Sequence, residues 1–223
     1  MGAQSERREE LNGGVSEKTM AEHWDRFYAT RDPAELSWWQ PHLTCSLRLI
    51  EEAGLPRDSS IIDVGGGNST LVDDLLARGY ERITVLDLSA AALDQAKRRL
   101  GEKAAKVTWI AGDVTSLSLP AQAFDLWHDR AVFHFLVSPE RRRQYLDNLR
   151  RALKPGGHLI IATFAETGPT KCSGLPVVRY GVDELARVVG AEFKLVKSLR
   201  EEHLTPAGAT QDFIYAHFVF CGR

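Results

Sequence analysis

The chain has 223 residues and a formal net charge of −2, enough for one α/β domain with a sizeable core or at most two small ones. That charge balance gives no basic face for nucleic acid and no pull toward an anionic membrane, and no apolar run approaches the roughly twenty residues of a bilayer crossing. Three scattered cysteines, Cys45, Cys172 and Cys221, form no C-x-x-C pair, which argues against a disulfide framework or structural zinc and for a reducing cytoplasm.

Residues 1–16 are polar and of mixed charge, with Glu6, Glu9 and Glu10 beside Arg7 and Arg8. They lack the apolar core of a secretory signal and the acid-poor character of a transit peptide, so they read as a disordered lead-in to a single domain over 17–223. From 17 to about 30, Trp24, Phe27 and Tyr28 fall at i, i+3, i+4 on one helix face, a stripe that serves either core packing or a ligand. Trp38 and Trp39 precede Pro41 in a loop and read as a lid, since paired exposed aromatics are uncommon without a ligand. A second helix is expected over 41–53, opened by Pro41 and stopped by Gly54 and Pro56, completing a helical N-terminal cap.

Strand and helix then alternate: strand 60–64, helix 68–78, strand 82–86, helix 89–100 begun by Ser89, strand 106–111 and strand 124–128. The first strand runs into Gly65-Gly66-Gly67-Asn68-Ser69-Thr70, where the backbone can lie against a ligand because only glycine leaves room. The second ends in Asp87, about twenty residues after the glycines, where a carboxylate can take two ribose hydroxyls. Without a ligand, the same residues would make a tightly packed turn and a helix cap. Ser138-Pro139-Glu140 opens a helix running to Leu153, with a Ser N-cap and Pro in the first turn. Lys154-Pro155-Gly156-Gly157 ends it and feeds strand 158–164. A long loop over 165–180 is followed by a helix at 182–189, then strands 193–203 and 211–221 joined across Pro206-Ala207-Gly208 as an antiparallel hairpin. The expected architecture is a doubly wound, seven-stranded, mostly parallel sheet closed by that hairpin, with no repeats and no second domain.

Candidates for chemistry lie just past the fourth strand, at the carboxyl end of the sheet where α/β ligands bind: His128, Asp129, Arg130 and His134. Each has a structural alternative: His128 as a strand-ending ring, Asp129 with Arg130 as a local ion pair, and His134 as a core histidine between Phe133 and Phe135. Cys172 reads as an inert loop cysteine. The arginines at 141–143 and 150–151 read as a solvated helix face.

Taken together, these residues resemble the class I S-adenosylmethionine-dependent methyltransferases, nearly end to end from about Trp24. The first motif of that family appears as Asp63-Val64-Gly65-Gly66-Gly67, its acidic second-strand end as Asp87 and its third motif as Gly112-Asp113-Val114. The fourth is Asp125-Leu126-Trp127-His128-Asp129-Arg130, and the pre-strand turn is Leu153-Lys154-Pro155-Gly156-Gly157. The resemblance implies a Rossmann-like fold and S-adenosylmethionine as cofactor. It implies that Asp63 and Gly65, Gly66 and Gly67 approach the methionine part, that Asp87 holds the ribose, that Asp113 meets the adenine amino group, and that Val114 or Leu88 covers the ring. Thr70, at the third glycine position, suits a cofactor with no pyrophosphate and disfavours a nicotinamide dehydrogenase. His23-Trp24-Asp25-x-x-Tyr28 and Ser37-Trp38-Trp39-Gln40-Pro41 are similar to the entry region of a subgroup that includes protein-lysine methyltransferases, which implies that Trp24, Tyr28 and Trp39 fold over the methionine end. Where those lysine enzymes carry Asp-Lys-Gly-Thr-Phe-Asp, this chain has Asp129-Arg130-Ala131-Val132-Phe133-His134, and its Asp-Arg is similar to small-thiol methyltransferases. The expected reaction is methyl transfer to a small-molecule nucleophile, with His128, Asp129 and His134 as candidate catalytic groups and no metal. A protein-lysine acceptor and a non-catalytic S-adenosylmethionine-binding module are the alternatives.

Overall fold

The computed structural model describes residues 17–222, with side chains from Met20 onward; the expected lead-in over 1–16 lies outside the described residues. Helix α1 (Glu17–Ala29) and α2 (Thr44–Glu52) precede strand β1 (Ser60–Val64). Then follow α3 (Leu71–Ala77), β2 (Arg82–Asp87), α4 (Ala90–Leu100), β3 (Val107–Ala111), β4 (Phe124–Arg130), α5 (Pro139–Ala152) and β5 (Leu153–Phe164). A two-residue hairpin, β6 (Lys171–Cys172) and β7 (Leu175–Pro176), leads to α6 (Val182–Val189), β8 (Phe193–Leu204) and β9 (Thr210–Phe220).

Seven strands form one sheet in the order β3-β2-β1-β4-β5-β9-β8. The pairs among β1 to β5 are parallel, and β9 runs antiparallel to both β5 and β8. All five residues of β1 are buried, as a strand covered on both faces requires. Alternate residues go to opposite faces. Ile62, Val64, Trp127, Leu159 and Ile161 pack with Tyr145, Leu149 and Leu185 of α5 and α6. Ile61, Val85, Leu126 and Ile160 pack with Leu47, Ile50, Leu71 and Leu93 of α2, α3 and α4. Strand order turns back between β1 and β4, which leaves a crevice at their carboxyl ends.

Several boundaries differ from expectation for local reasons. Helix α3 begins at Leu71, not 68, because Asn68–Thr70 complete the glycine turn: Ser69 N donates to Gly66 O at 2.7 Å, and Ser69 Oγ accepts from Leu71 N at 3.1 Å. Helix α2 starts at Thr44, three residues after Pro41. Ser138 has the extended backbone of a cap, but its side chain makes no capping bond. Ser89 does cap α4, accepting from Ala92 N at 3.1 Å. Strand β5 already begins at Leu153, which pairs with Phe124, so the Lys154–Gly157 turn lies within it. The strand that ends the hairpin, β9, is interior to the sheet, and β8 is the edge.

Candidate cofactor and acceptor site

One cavity opens at the crevice, walled by the ends of β1, β2, β3 and β4, by α1 and the 36–43 segment, and by the β6–β7 hairpin. Its floor is the turn after β1. Gly65 has φ +70 and donates to Leu86 O at 2.7 Å; any side chain there would overlap Val132, and one on Gly67 would meet Asp87 Oδ2 and Ala92. Gly65 and Gly66 present bare backbone to the cavity, while Gly67 is not part of its wall and packs against Asp87 and Ala92.

Neighbouring strands lie about 4.8 Å apart, so Asp63, Asp87 and Asp113, at the ends of β1 and β2 and just past β3, form a row along the crevice. Asp87 is buried and accepts from Ser89 N at 2.8 Å. Desolvation pushes its carboxyl up to about 7, with the Ser89 and Gly67 N–H groups opposing and Asp63 adding to the rise. A vicinal diol donating to it would favour its charged form, as a ribose does. Asp113 is more committed. One oxygen takes Thr115 N at 2.8 Å and Thr115 Oγ1 at 2.7 Å, and the other pairs with Arg141. Leu88 and Val114 line the same end. The residues thus fit a nucleoside: backbone cradle, buried carboxyl for a diol, and apolar walls for a base.

The catalytic candidates separate. His128 lies in the wall, but both ring nitrogens are engaged: Nδ1 with Asp63 Oδ1 at 2.7 Å and Nε2 with Ser46 Oγ at 2.9 Å. Asp129 turns away from the cavity. It accepts from Val132 N at 3.0 Å, Phe133 N at 3.3 Å and Tyr145 Oη at 2.6 Å, and burial raises its carboxyl to about 6. It holds the turn after β4, where Ala131 sits at φ +69. His134 is also outside the wall. Its Nδ1 accepts from Phe164 N at 3.3 Å, its ring packs on Phe135 and Phe164, and burial with Arg130 nearby depresses it to about 3. Asp129 and His134, expected as catalytic groups, are thus buried side chains that do not line the cavity.

Arg130 does line the cavity, with a side chain 5% exposed. Its Nε donates to Tyr215 Oη at 2.8 Å and a terminal nitrogen to Trp38 O at 3.1 Å. Tyr215 Oη donates to Glu201, which also accepts from Gln40 Nε2 at 2.9 Å. This chain of bonds ties the 38–40 segment to β4, β8 and β9. The aromatic cap is one packed unit: Trp38 stacks on Phe27 and meets Trp24 edge-on, and Trp24, Tyr28, Trp38 and Trp39 all line the cavity. Asp25 fastens α1 to the start of α4 by accepting from Ser89 Oγ at 2.6 Å and Ala91 N at 3.2 Å.

Several positions at the site carried no motif. Val132, Phe135 and Leu175 line the cavity through tertiary contacts alone, and Ser46 lies behind its wall on His128. Cys172 is buried in the wall, its thiol pushed up to about 11 by desolvation. The 141–143 arginines are not simply solvated: Arg141 pairs with Asp113, and Arg142 donates to Leu136 O at 2.7 Å. Arg150 likewise pairs with Glu192. Among the described residues no group of three or more His, Cys, Asp or Glu side chains is placed to hold a metal ion, and no helix is long and apolar enough to cross a membrane.

Residues 61–157, from β1 through the turn inside β5, match a family model described as a methyltransferase domain. The EEF1A lysine methyltransferase 2 of Danio rerio is 24% identical over 209 residues, covering 87% of this chain and 84% of that protein. The nodulation protein S of Rhizobium tropici is 35% identical over 88 residues, 40% of this chain and 36% of that protein. In structure, the N-methyltransferase NodS of Bradyrhizobium japonicum, solved with S-adenosyl-L-homocysteine, superimposes with a TM-score of 0.71 at 21% identity, covering 91% of this chain and 98% of that one.

Proposed function

We propose, for a chain that is a class I S-adenosylmethionine-dependent methyltransferase, that its acceptor is a small-molecule nucleophile enclosed between the aromatic cap and the β6–β7 hairpin. S-adenosylmethionine supplies, when bound, a methyl group already activated by the sulfonium. In this reading Asp87 takes the ribose hydroxyls, and Asp113, Val114 and Leu88 hold the base. Asp63 and the Gly65–Gly67 backbone receive the amino-acid end, and Trp24, Tyr28 and Trp39 exclude water above it. The acceptor then lies toward Arg130, Phe135, Cys172 and Leu175.

The observation that carries the proposal is the distribution of acids in the wall. The carboxylates lining the cavity are Asp63, Asp87 and Asp113, and all are assigned to the donor. A lysine ammonium must lose its proton before attack and profits from a neighbouring acid. In the place of that acid stands His134, buried, held neutral and turned from the cavity. Arg130 is the cation at the acceptor end, and it suits a nucleophile that reacts as an anion. With both nitrogens of His128 engaged, rate comes from close approach, alignment and exclusion of water rather than from a protein base. The pH profile of turnover is therefore expected to follow the acceptor's own ionisation.

A protein-lysine acceptor is the second reading, favoured by the likeness to EEF1A lysine methyltransferase 2. Incubation with methyl-labelled donor against thiols, carboxylic acids, amines and a whole-cell protein extract decides between them. Label in small molecules alone supports the proposal; label in a discrete protein band that disappears on acceptor-lysine substitution replaces it.

A further inference from the structure

Ser46 belongs to no motif, yet its hydroxyl lies on α2 fully buried beneath the cavity floor, 2.9 Å from His128 Nε2. The other nitrogen of the ring is 2.7 Å from Asp63 Oδ1. The carboxylate only accepts, so a neutral ring carries its proton on Nδ1, and Nε2 accepts from the serine hydroxyl. The order Ser–His–Asp has the bonding of a hydrolase triad, but Ser46 does not reach the cavity wall and has nothing to attack.

The relay ends in an imbalance. Asp63 Oδ2 is buried without a hydrogen-bond partner, directly under Gly66. A buried carboxylate with an unpaired oxygen is costly until positive charge arrives. The guanidinium groups in the wall face other partners than Asp63: Arg130 bonds Tyr215 and Trp38 O with its remaining nitrogen 3.7 Å from Glu201, and Arg141 pairs with Asp113. The geometry points to Ser46 and His128 as positioning residues that hold the Asp63 charge for the α-ammonium of the donor's amino-acid end. This rests on the methyltransferase reading of the cavity. His128 thereby becomes the middle of an affinity device rather than a base.

Two ligands that share the nucleoside and its sulfur isolate the claim: S-adenosylhomocysteine carries the amino-acid end and 5′-methylthioadenosine lacks it. Titration calorimetry is expected to show Ser46→Ala weakening S-adenosylhomocysteine five- to tenfold while 5′-methylthioadenosine stays within twofold. His128→Phe should widen that gap, and His128→Asn, whose amide N–H can still meet Asp63, should largely close it. Equal weakening of both ligands would reduce the relay to a structural support and overturn the inference, as would unchanged affinity for both. Wild-type protein binding neither ligand would overturn the methyltransferase reading and the relay with it.

Discussion

The Asp87 carboxyl is the residue on which affinity and stability pull in opposite directions. Burial raises it from 3.8 to about 7. Between those values the native state keeps a proton that the unfolded chain has released, so native stability falls as pH rises from about 4 to about 7. Above that window the ionised group costs roughly 4 kcal/mol. Asp87→Asn removes the cost and also removes the charged acceptor proposed for the ribose. The variant is expected to melt higher than wild type at pH 8, with the difference vanishing near pH 4, while S-adenosylhomocysteine binds about ten- to a hundredfold more weakly, the equivalent of about one charged hydrogen bond. Thermal scans across pH and calorimetry read the two effects separately; unchanged affinity would remove Asp87 from the ribose. Asp129 is its contrast. Asp129→Ala leaves Val132 N, Phe133 N and Tyr145 Oη without their acceptor and should cost about 2–4 kcal/mol, with turnover per folded molecule nearly unchanged. A loss of turnover at full stability would restore a chemical role. The two acids were alike in sequence, each ending a strand beside a turn. Only the direction of the side chain separated them, and a one-residue change of direction in a strand is invisible without its neighbours.

At the scale of elements, the strands and helices of the sheet were legible because their apolar residues repeat with period 2 or 3.6 and glycines punctuate them. What escaped was set by tertiary contact: Arg141 leaving solvent for Asp113, Ser46 rising under His128, and the cap fastening itself to α4. That last joint is testable. Asp25 accepts from Ser89 Oγ and Ala91 N at the start of α4, where a carboxylate is also favoured by the helix dipole. Asp25→Ala should release α1. Cofactor affinity is expected to fall about three- to tenfold, and trypsin should cut within α1 faster than in wild type, because a loosened element opens more often. Proteolysis at the wild-type rate would place the hold of α1 in its aromatic packing instead.

For the whole molecule, the cavity is walled jointly by the cap, the parallel half of the sheet and the β6–β7 hairpin, so a ligand that fills it should stabilise these parts together. Saturating S-adenosylhomocysteine at about a thousandfold over its Kd is expected to add roughly 4 kcal/mol and raise a single melting transition; NAD at the same concentration should leave it unmoved. Two separated transitions would mean that cap and sheet unfold independently. The position of β9 has a further consequence. It occupies a slot between β5 and β8, and that slot is bounded on both sides only after β8 has left the ribosome. A nascent chain therefore carries two open strand borders until the following segment threads between them, a state prone to mispairing. Tyr215, which steadies Arg130, arrives on that same segment. The Arg130 end of the cavity is thus fastened only once the last strand of the chain has been made.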